Sequence, residues 1–400
     1  MSVSSAAVYI IGAARTPIGK MNGTLAGLSA VQLGTIASKA AIMRSGIKPE
    51  LIDQVYFGNA IQAGNGQNPA RQVAINSGLS QSVPATTIND VCASGLHSIN
   101  LAAQLIRAGE MSVALAGGME SMSNAPYLLR NARRGYRLGN GKLVDALQND
   151  GLIDAFHHYH MGQTAENVAK RYQLTRQELD QFAQSSQEKA VAAQRAGRFD
   201  DEIVPVTVPM KHGQTKTITL DEGPRPDSSL DKLAHLKPAF TQNGVVTAGN
   251  SSGINDGAAA LVLASQQLVD QLGIVPLARW DEGSLVGLDP AVMGLGPIPA
   301  IRQLLAKSRV PLDQVDLFEI NEAFAAQSLA VIRELGLPSS RVNPNGGAVA
   351  LGHPLAASGA RIAVTLAYEM SRRHSKYGVA SLCVGGGMGV AALLHGVNNS

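Results

Sequence analysis

Asp316-Leu317-Phe318-Glu319-Ile320-Asn321, with His353 thirty-two positions beyond Asn321 and Ser358-Gly359 soon after, is the stretch that decides the fold. It has a counterpart near the other end of the chain. There Asp53, Val55-Tyr56-Phe57 and Asn59 come first, Cys92 follows thirty-three positions after Asn59, and Ser94-Gly95 stands just behind it. Each copy then enters an apolar helix. Each closes with an apolar strand and a glycine run: Val113 to Ala116 with Gly117-Gly118-Met119, and Val379 to Val384 with Gly385-Gly386-Gly387-Met388. Five features in one conserved order indicate an internal duplication. Alternating strands and helices predict an α/β fold of two βαβαβ-type halves with a largely buried sheet. Two such halves pack about a pseudo-twofold axis, which puts Cys92 and His353 at related places near it.

Working outward, Val8 to Gly12 reads as a first strand. Ser29 to Arg44 follows with helical spacing of apolar residues, and Gly46 and Pro49 end it. Between the halves the composition changes. Ser121 to Gly249 is richer in charge, Gln, Pro and Gly, and carries Arg130, Arg133, Arg134, Arg137, the cluster His157-His158-Tyr159-His160 and a helical run from Thr164 to Arg198. It reads as an insertion covering a site. The expected division is residues 1–120 with 250–272 as the first half, 121–249 as a loop domain, and 273–400 as the second half.

Composition limits the function. With 45% hydrophobic and 16% charged residues over 400 positions, the chain buries a large core. A net charge of +3 lacks the dominant basic face of a nucleic-acid binder but suits an anionic small substrate. No apolar run is long enough to span a bilayer. The start, Met1 to Pro17, reads as a strand and not a leader. Two widely separated cysteines make no disulfide framework, and a reducing cytoplasmic setting is expected.

Both cysteines lie in glycine-bearing turns. Cys92, in Asn89-Asp90-Val91-Cys92-Ala93-Ser94-Gly95, precedes an amphipathic helix in which Leu96, Ile99, Ala102, Ala103, Leu105 and Ile106 recur at i, i+3 and i+4. A thiol at a helix start is expected to have a lowered pKa. On this stretch alone it is equally an inert core cysteine or a nucleophile. His353, in Gly352-His353-Pro354, sits in a turn where it is either a general base toward Cys92 or an idle loop histidine. Cys383 ends a strand and enters three glycines, whose N–H groups suit an anion or a developing oxyanion if the run is not mere close packing. The spacing is wrong for a dinucleotide site. The histidines near 157–160 have no carboxylate or thiol beside them in sequence, and no metal is expected.

Arg15-Thr16-Pro17-Ile18-Gly19-Lys20, Asn89 to Gly95, Tyr159-His160-Met161-Gly162, Thr247-Ala248-Gly249-Asn250, Asn321-Glu322-Ala323-Phe324, Gly352-His353-Pro354 and Cys383 to Gly387 together resemble the thiolases, end to end and in order. The closest likeness is to the short-chain acetyl-CoA acetyltransferase branch. The resemblance implies a thiolase-like fold, a five-layered α/β/α/β/α core with an inserted loop domain. It implies reversible condensation of two acetyl-CoA to acetoacetyl-CoA plus coenzyme A, or, alternatively, a broader-chain 3-ketoacyl-CoA thiolase. Cys92 would carry the acyl group, His353 would activate it, and Cys383 would move the α-proton. Asn321 would hold a water that helps His353 stabilise an enolate, and the N–H groups of Cys92 and Gly385 would receive the acyl oxyanion. Arg225 would lie near the adenine and phosphate end of coenzyme A. Leu152, His160, Met161, Ser252, Ala323, Phe324 and Phe240 would line the pantetheine channel, with Met161 and Met293 crowding the acyl pocket. No cofactor is implied, since coenzyme A thioesters are the substrates. The loop from Arg130 to Gly141 resembles the segment through which tetrameric thiolases associate, which implies a homotetramer, a dimer of dimers; no nucleic-acid or membrane partner is expected. Ala356 departs from the usual glycine and is expected to strain the turn behind His353 if that position needs positive φ.

Overall fold

Residues 7–397 are described in a computed structural model of the chain. Residues 1–6, at the start of the stretch read as a strand and not a leader, and 398–400, at the end of the second half, lie outside the described residues. Nine strands carry the main sheet: β1 Val8–Arg15, β2 Gln54–Gly58, β3 Ala85–Ile88, β4 Val113–Ser121, β5 Asn255–Ser265, β6 Ala278–Gly287, β7 Leu317–Ile320, β8 Tyr377–Val384 and β9 Met388–His395. A two-residue piece, Gly19–Lys20, pairs with β5. The principal helices are α1 Ala30–Ser45, α2 Pro69–Asn76, α3 Ser94–Arg107, α4 Met161–Arg171, α5 Arg176–Arg195, α6 Pro297–Ser308, α7 Ala325–Leu335 and α8 Leu355–Arg373.

The strand order is β7-β8-β9-β6-β1-β5-β4-β2-β3. The order is symmetric about the β6–β1 contact. In the first half β2 pairs parallel with β3 and β4, and β4 runs antiparallel to β5. In the second, β7 pairs parallel with β8, and β8 runs antiparallel to β9. A single parallel bridge, Phe318 to Val342, stands where the first half has β3. Among the described residues the half-sheets meet through the start of β1, where Val8, Tyr9 and Ile10 pair with Trp280, Arg279 and Ala278.

The sheet bends there into two stacked layers. Helices α3 and α8 lie between them, and their apolar faces fill one core with Trp280, Leu261 and Leu382. Helices α1 and α2 cover the outer face of the first half, and α6 and α7 that of the second. This is the five-layer order. The central helices cross closely because both start small: a Cβ on Gly95 would meet the Ala356 carbonyl at 2.6 Å, and one on Gly359 would meet the Leu96 nitrogen at 2.5 Å. The N-termini of α3 and α8 therefore meet, and they bring Cys92 and His353 together.

Local chemistry explains several boundaries. Ser29 and Gln32 close a capping box at the start of α1, and Gly46, at φ 71°, ends it. The helical run expected from Thr164 to Arg198 is instead two helices. Gln173 turns left-handed at φ 52°, and Thr175 with Glu178 forms a second capping box that starts α5. The glycines after β4 also differ from their expected counterpart. Gly117 and Gly118 stay inside β4, paired with Ala260 and Ala259, whereas Gly385 to Gly387 make the tight turn from β8 to β9. In the first half the β4–β5 hairpin opens at this point, and residues 122–254 run outside the main sheet.

Candidate active site

The turn that carries Cys92 is held by its neighbours. Val91 has φ 47°, a conformation that costs a β-branched residue on the order of 1–3 kcal/mol. The Val91 N–H donates to Asn89 Oδ1 at 3.0 Å, and Ser94 Oγ accepts the Asp90 N–H at 2.9 Å while donating to the Val91 carbonyl at 2.7 Å. Asp90 is tied in turn to His97 on the next helical turn. Cys92 is buried between this turn and the first turn of α3. The helix start does not lower its pKa. Burial pushes the thiol up to about 11, and the N–H groups of Gly385 and of Cys92 itself, aimed at the sulfur, recover only part of that.

His353 opens the path to α8. Gly352, at φ 111°, supplies the left-handed turn before it. Ala356 lies in the first turn of α8 with ordinary helical geometry, so the expected strain is absent. The His353 N–H donates to Asn255 Oδ1 at 2.9 Å. Ser358 Oγ donates to the Pro354 carbonyl at 3.3 Å, so its oxygen accepts the Nδ1–H of His353 at 2.5 Å. That fixes the tautomer and leaves the Nε2 lone pair facing Cys92 Sγ at 3.3 Å. Burial, aided by the Arg361 charge, pushes the imidazole down to about 3. The resting pair is therefore neutral thiol and neutral imidazole. The rate of Cys92 alkylation by iodoacetamide should rise steadily from pH 7 to 9. A plateau already reached at pH 7 would mean a standing thiolate–imidazolium pair instead.

Cys383 lies one residue from the end of β8, opposite Gly389. It is almost completely buried, and burial together with the nearby Cys92 pushes its thiol well above the ordinary range. Gly385 opens the following turn, in which Gly386 and Gly387 both have φ 85°. Asn321 follows β7 as Asn59 follows β2, and both are fully buried. The Nδ2 of Asn321 lies 3.5 Å from each ring nitrogen of His353, and its Oδ1 has no hydrogen-bond partner among the described residues. Asn59 instead donates to Glu120, whose carboxylate also accepts the Ala356 N–H.

Cys92, His353, Cys383 and Gly385 line one cavity of about 450 Å³. Leu152, His160, Met161, Arg225, Phe240, Ser252, Met293, Ala323 and Phe324 line the same cavity. Asn321 stands behind the wall, beside His353. His160 stacks on Phe240 with ring centres 4.7 Å apart, and its Nδ1 accepts the Gly162 N–H. His157 bonds to the buried Asp154 three residues before it, so a carboxylate does lie near these histidines, contrary to expectation. Arg225, exposed, also borders an adjoining open cleft of about 320 Å³ with Lys20 and Ser228. This arrangement offers a nucleophilic thiol with its base, a second thiol, a two-N–H anion seat and a mostly apolar channel with a cation at its mouth. That is the equipment for acyl transfer and carbon-acid chemistry on a long thioester.

The sequence reading gave no role to Ser358, Asn255, Val91 or Met122, the last of which also lines the cavity. Ser358 was visible as half of the repeated Ser-Gly pair, five residues beyond His353. Asn255 and Met122 reach the site only through the sheet, and nothing local marks them.

Comparison with known proteins gives one answer along the whole chain. Residues 8–267 match the family model for the thiolase N-terminal domain, and residues 274–396 match that for the thiolase C-terminal domain. An acetyl-CoA acetyltransferase of Cupriavidus necator is 53% identical over 384 residues, 96% of this chain and 98% of that one. The crystal structure of the Bacillus anthracis acetyl-CoA acetyltransferase superposes with a TM-score of 0.97 at 44% identity, covering 99% of this chain and 100% of that one. Human mitochondrial 3-ketoacyl-CoA thiolase superposes with a TM-score of 0.95 at 43% identity, covering 98% and 99%.

Proposed function

The chain belongs to the thiolase family, and from that membership and the geometry of its cavity we propose how it moves an acetyl group between two coenzyme A thioesters. It is an acyltransferase, an acetyl-CoA C-acetyltransferase that forms and cleaves acetoacetyl-CoA. Cys92 is the nucleophile. As its sulfur attacks the acetyl carbonyl, the thiol proton passes to His353 Nε2, 3.3 Å away. The oxyanion accepts the N–H groups of Cys92 and Gly385, already aimed at that sulfur. The carbon–sulfur bond of the donor breaks, and Cys383 gives its proton to the leaving coenzyme A sulfur. The Cys383 thiolate then takes an α-proton from a second acetyl-CoA. The enolate oxygen is held by the Nε2–H of His353 and, through a water, by Asn321. The enolate carbon attacks acetyl-Cys92, and the released sulfur regains its proton from His353. Proton and acyl transfers suffice throughout, so the reaction asks for no cofactor beyond its substrates.

The observation that carries this reading is the oriented imidazole: Nδ1 tied to Ser358, Nε2 on Cys92, in a cavity that Cys383 shares. The test is cleavage of acetoacetyl-CoA by coenzyme A, followed as loss of the substrate. A purified protein without this activity would sink the reading. Ser358→Ala frees the tautomer and should lower kcat about tenfold while thermal stability changes little. An unchanged kcat would remove Ser358 from the account.

The structural likeness to human 3-ketoacyl-CoA thiolase favours a second reading with longer acyl chains. Against it, Met161 and Met293 are both buried in the wall beside Cys383. We expect thiolysis to fall more than about tenfold from acetoacetyl-CoA to 3-ketooctanoyl-CoA, measured as kcat/KM. A flat profile would support the broader-chain activity.

The inserted segment 121–249 is taken as the loop domain that covers coenzyme A. Its ribbon, Tyr127–Leu128 against Val144–Asp145, leads to a tip where Leu129, Leu138 and Leu143 are exposed beside Arg130 and Arg137. An apolar tip of this kind suits self-association. The proposal is a dimer of dimers in the cytoplasm, serving fatty acid metabolism. Light scattering of a stable dimer would contradict the tetramer.

A further inference from the structure

We infer that Gln187, on α5, is a positioning residue that couples the seat of coenzyme A to the turn carrying His353. The inference rests on the acetyl-transfer reading above. Gln187 is buried and its side-chain amide is used in both directions. Its Oε1 accepts the Arg225 N–H at 2.7 Å, and its Nε2 donates to the Val349 carbonyl at 3.4 Å. Arg225 is on the cavity wall, and Val349 belongs to the short helix Ala348–Leu351 that leads through Gly352 into His353. One side chain therefore spans the two segments.

The surroundings leave this link little slack. The chain on the Arg225 side is pinned from below: Asp221 takes a bidentate ion pair from the buried Arg15 at 2.7 and 2.9 Å and accepts the Ile18 N–H. Glu222 accepts the N–H groups of Lys20 and Thr24. Gly223, between this anchor and Arg225, runs directly against the histidine turn. A Cβ there would lie 2.2 Å from the Ala350 carbonyl and 2.9 Å from that of Leu351. On the opposite side Ser186, the neighbour of Gln187, accepts the Gly347 N–H at 3.1 Å and donates to Glu322 at 2.6 Å. Glu322 also accepts the Val349 N–H and follows Asn321 directly. A shift of the Arg225 segment is thus passed to the His353 turn by contact at Gly223 and by the amide of Gln187. In packed regions such contacts transmit small displacements instead of absorbing them.

The two hydrogen bonds can be separated by substitution. Gln187→Leu removes both. Gln187→Glu keeps the acceptor for Arg225 and replaces the donor to Val349 by a carboxylate facing a carbonyl. Three quantities are measured on the full-length protein: KM for coenzyme A, kcat for acetoacetyl-CoA cleavage, and the rate of Cys92 alkylation by iodoacetamide. The last needs His353 in place but involves no coenzyme A. In Gln187→Glu, KM should stay within about twofold while kcat and the alkylation rate both fall about tenfold. In Gln187→Leu all three should worsen, KM by about tenfold. A merely structural glutamine would lower the melting temperature and leave the alkylation rate unchanged. That result, or a Gln187→Leu variant changed in KM alone, overturns the coupling. If Gln187→Leu does not fold, the isosteric Gln187→Glu decides alone. A wild-type protein with normal Cys92 alkylation but no cleavage activity would overturn the functional reading, and the alkylation arm would still decide the coupling.

Discussion

Replacing Cys383 by alanine is expected to cut acetoacetyl-CoA formation by about 10⁴-fold while Cys92 still becomes acetylated. The two outcomes separate because Cys383 is indispensable only to the second stage. Acetylation keeps the sulfur of Cys92, the Nε2 of His353 and two N–H groups; it loses the Cys383 proton for the leaving sulfur, but coenzyme A can leave as a thiolate, so acetylation slows without stopping. Condensation needs a base for a carbon acid, and burial beside Cys92 makes the Cys383 thiolate a strong one by pushing its thiol up. Exchange of the acetyl-CoA methyl protons with deuterated solvent should be lost in the same proportion. A Cys383→Ala protein that condenses within tenfold of wild type would show that another group moves the α-proton.

The second large effect is expected at His353. Its replacement by alanine should lower both half-reactions, each by about 10³-fold or more. In the proposed mechanism the imidazole takes the thiol proton in one stage and donates Nε2–H to the enolate oxygen in the other. With Cys92 pushed up to about 11, the sulfur is a neutral thiol near pH 7 and cannot attack without that base. The burst of coenzyme A released on mixing with acetyl-CoA should disappear. Raising the pH should recover part of the acetylation in His353→Ala, because the thiol then ionises by itself. Condensation should stay low, because no pH supplies the missing enolate donor. A variant that condenses normally at high pH would remove the second role.

Much of this was legible before the structure. The repeated order from Asp53 to Met119 and from Asp316 to Met388 carried the pseudo-symmetry, and that symmetry explains why Cys92 and His353 meet where α3 and α8 start. The cavity-lining residues were legible only through their resemblance to a family. Periodicity does not reveal that Leu152, Met293 and Phe324, from three separate regions, share one wall. What the sequence misjudged has physical causes. The helix start favours a thiolate at Cys92, but burial disfavours it and is the larger effect. Ala356 looked strained because the turn was placed at the wrong residue, whereas Gly352 takes the positive φ and Ala356 begins a helix. The Thr164 to Arg198 run kept helical spacing across a break made by Gln173 and the Thr175–Glu178 capping box. Asn255 and Gln187 act through hydrogen bonds between segments distant in sequence, and such bonds leave no local pattern.

The account turns on one covalent event. The protein should be mixed with acetyl-CoA, quenched in acid, digested and analysed by mass spectrometry. One acetyl group should appear on the peptide containing Cys92, be lost on adding coenzyme A, and be missing from Cys92→Ala. An acetyl group found on Cys383 instead, or one that persists in Cys92→Ala, would contradict the account.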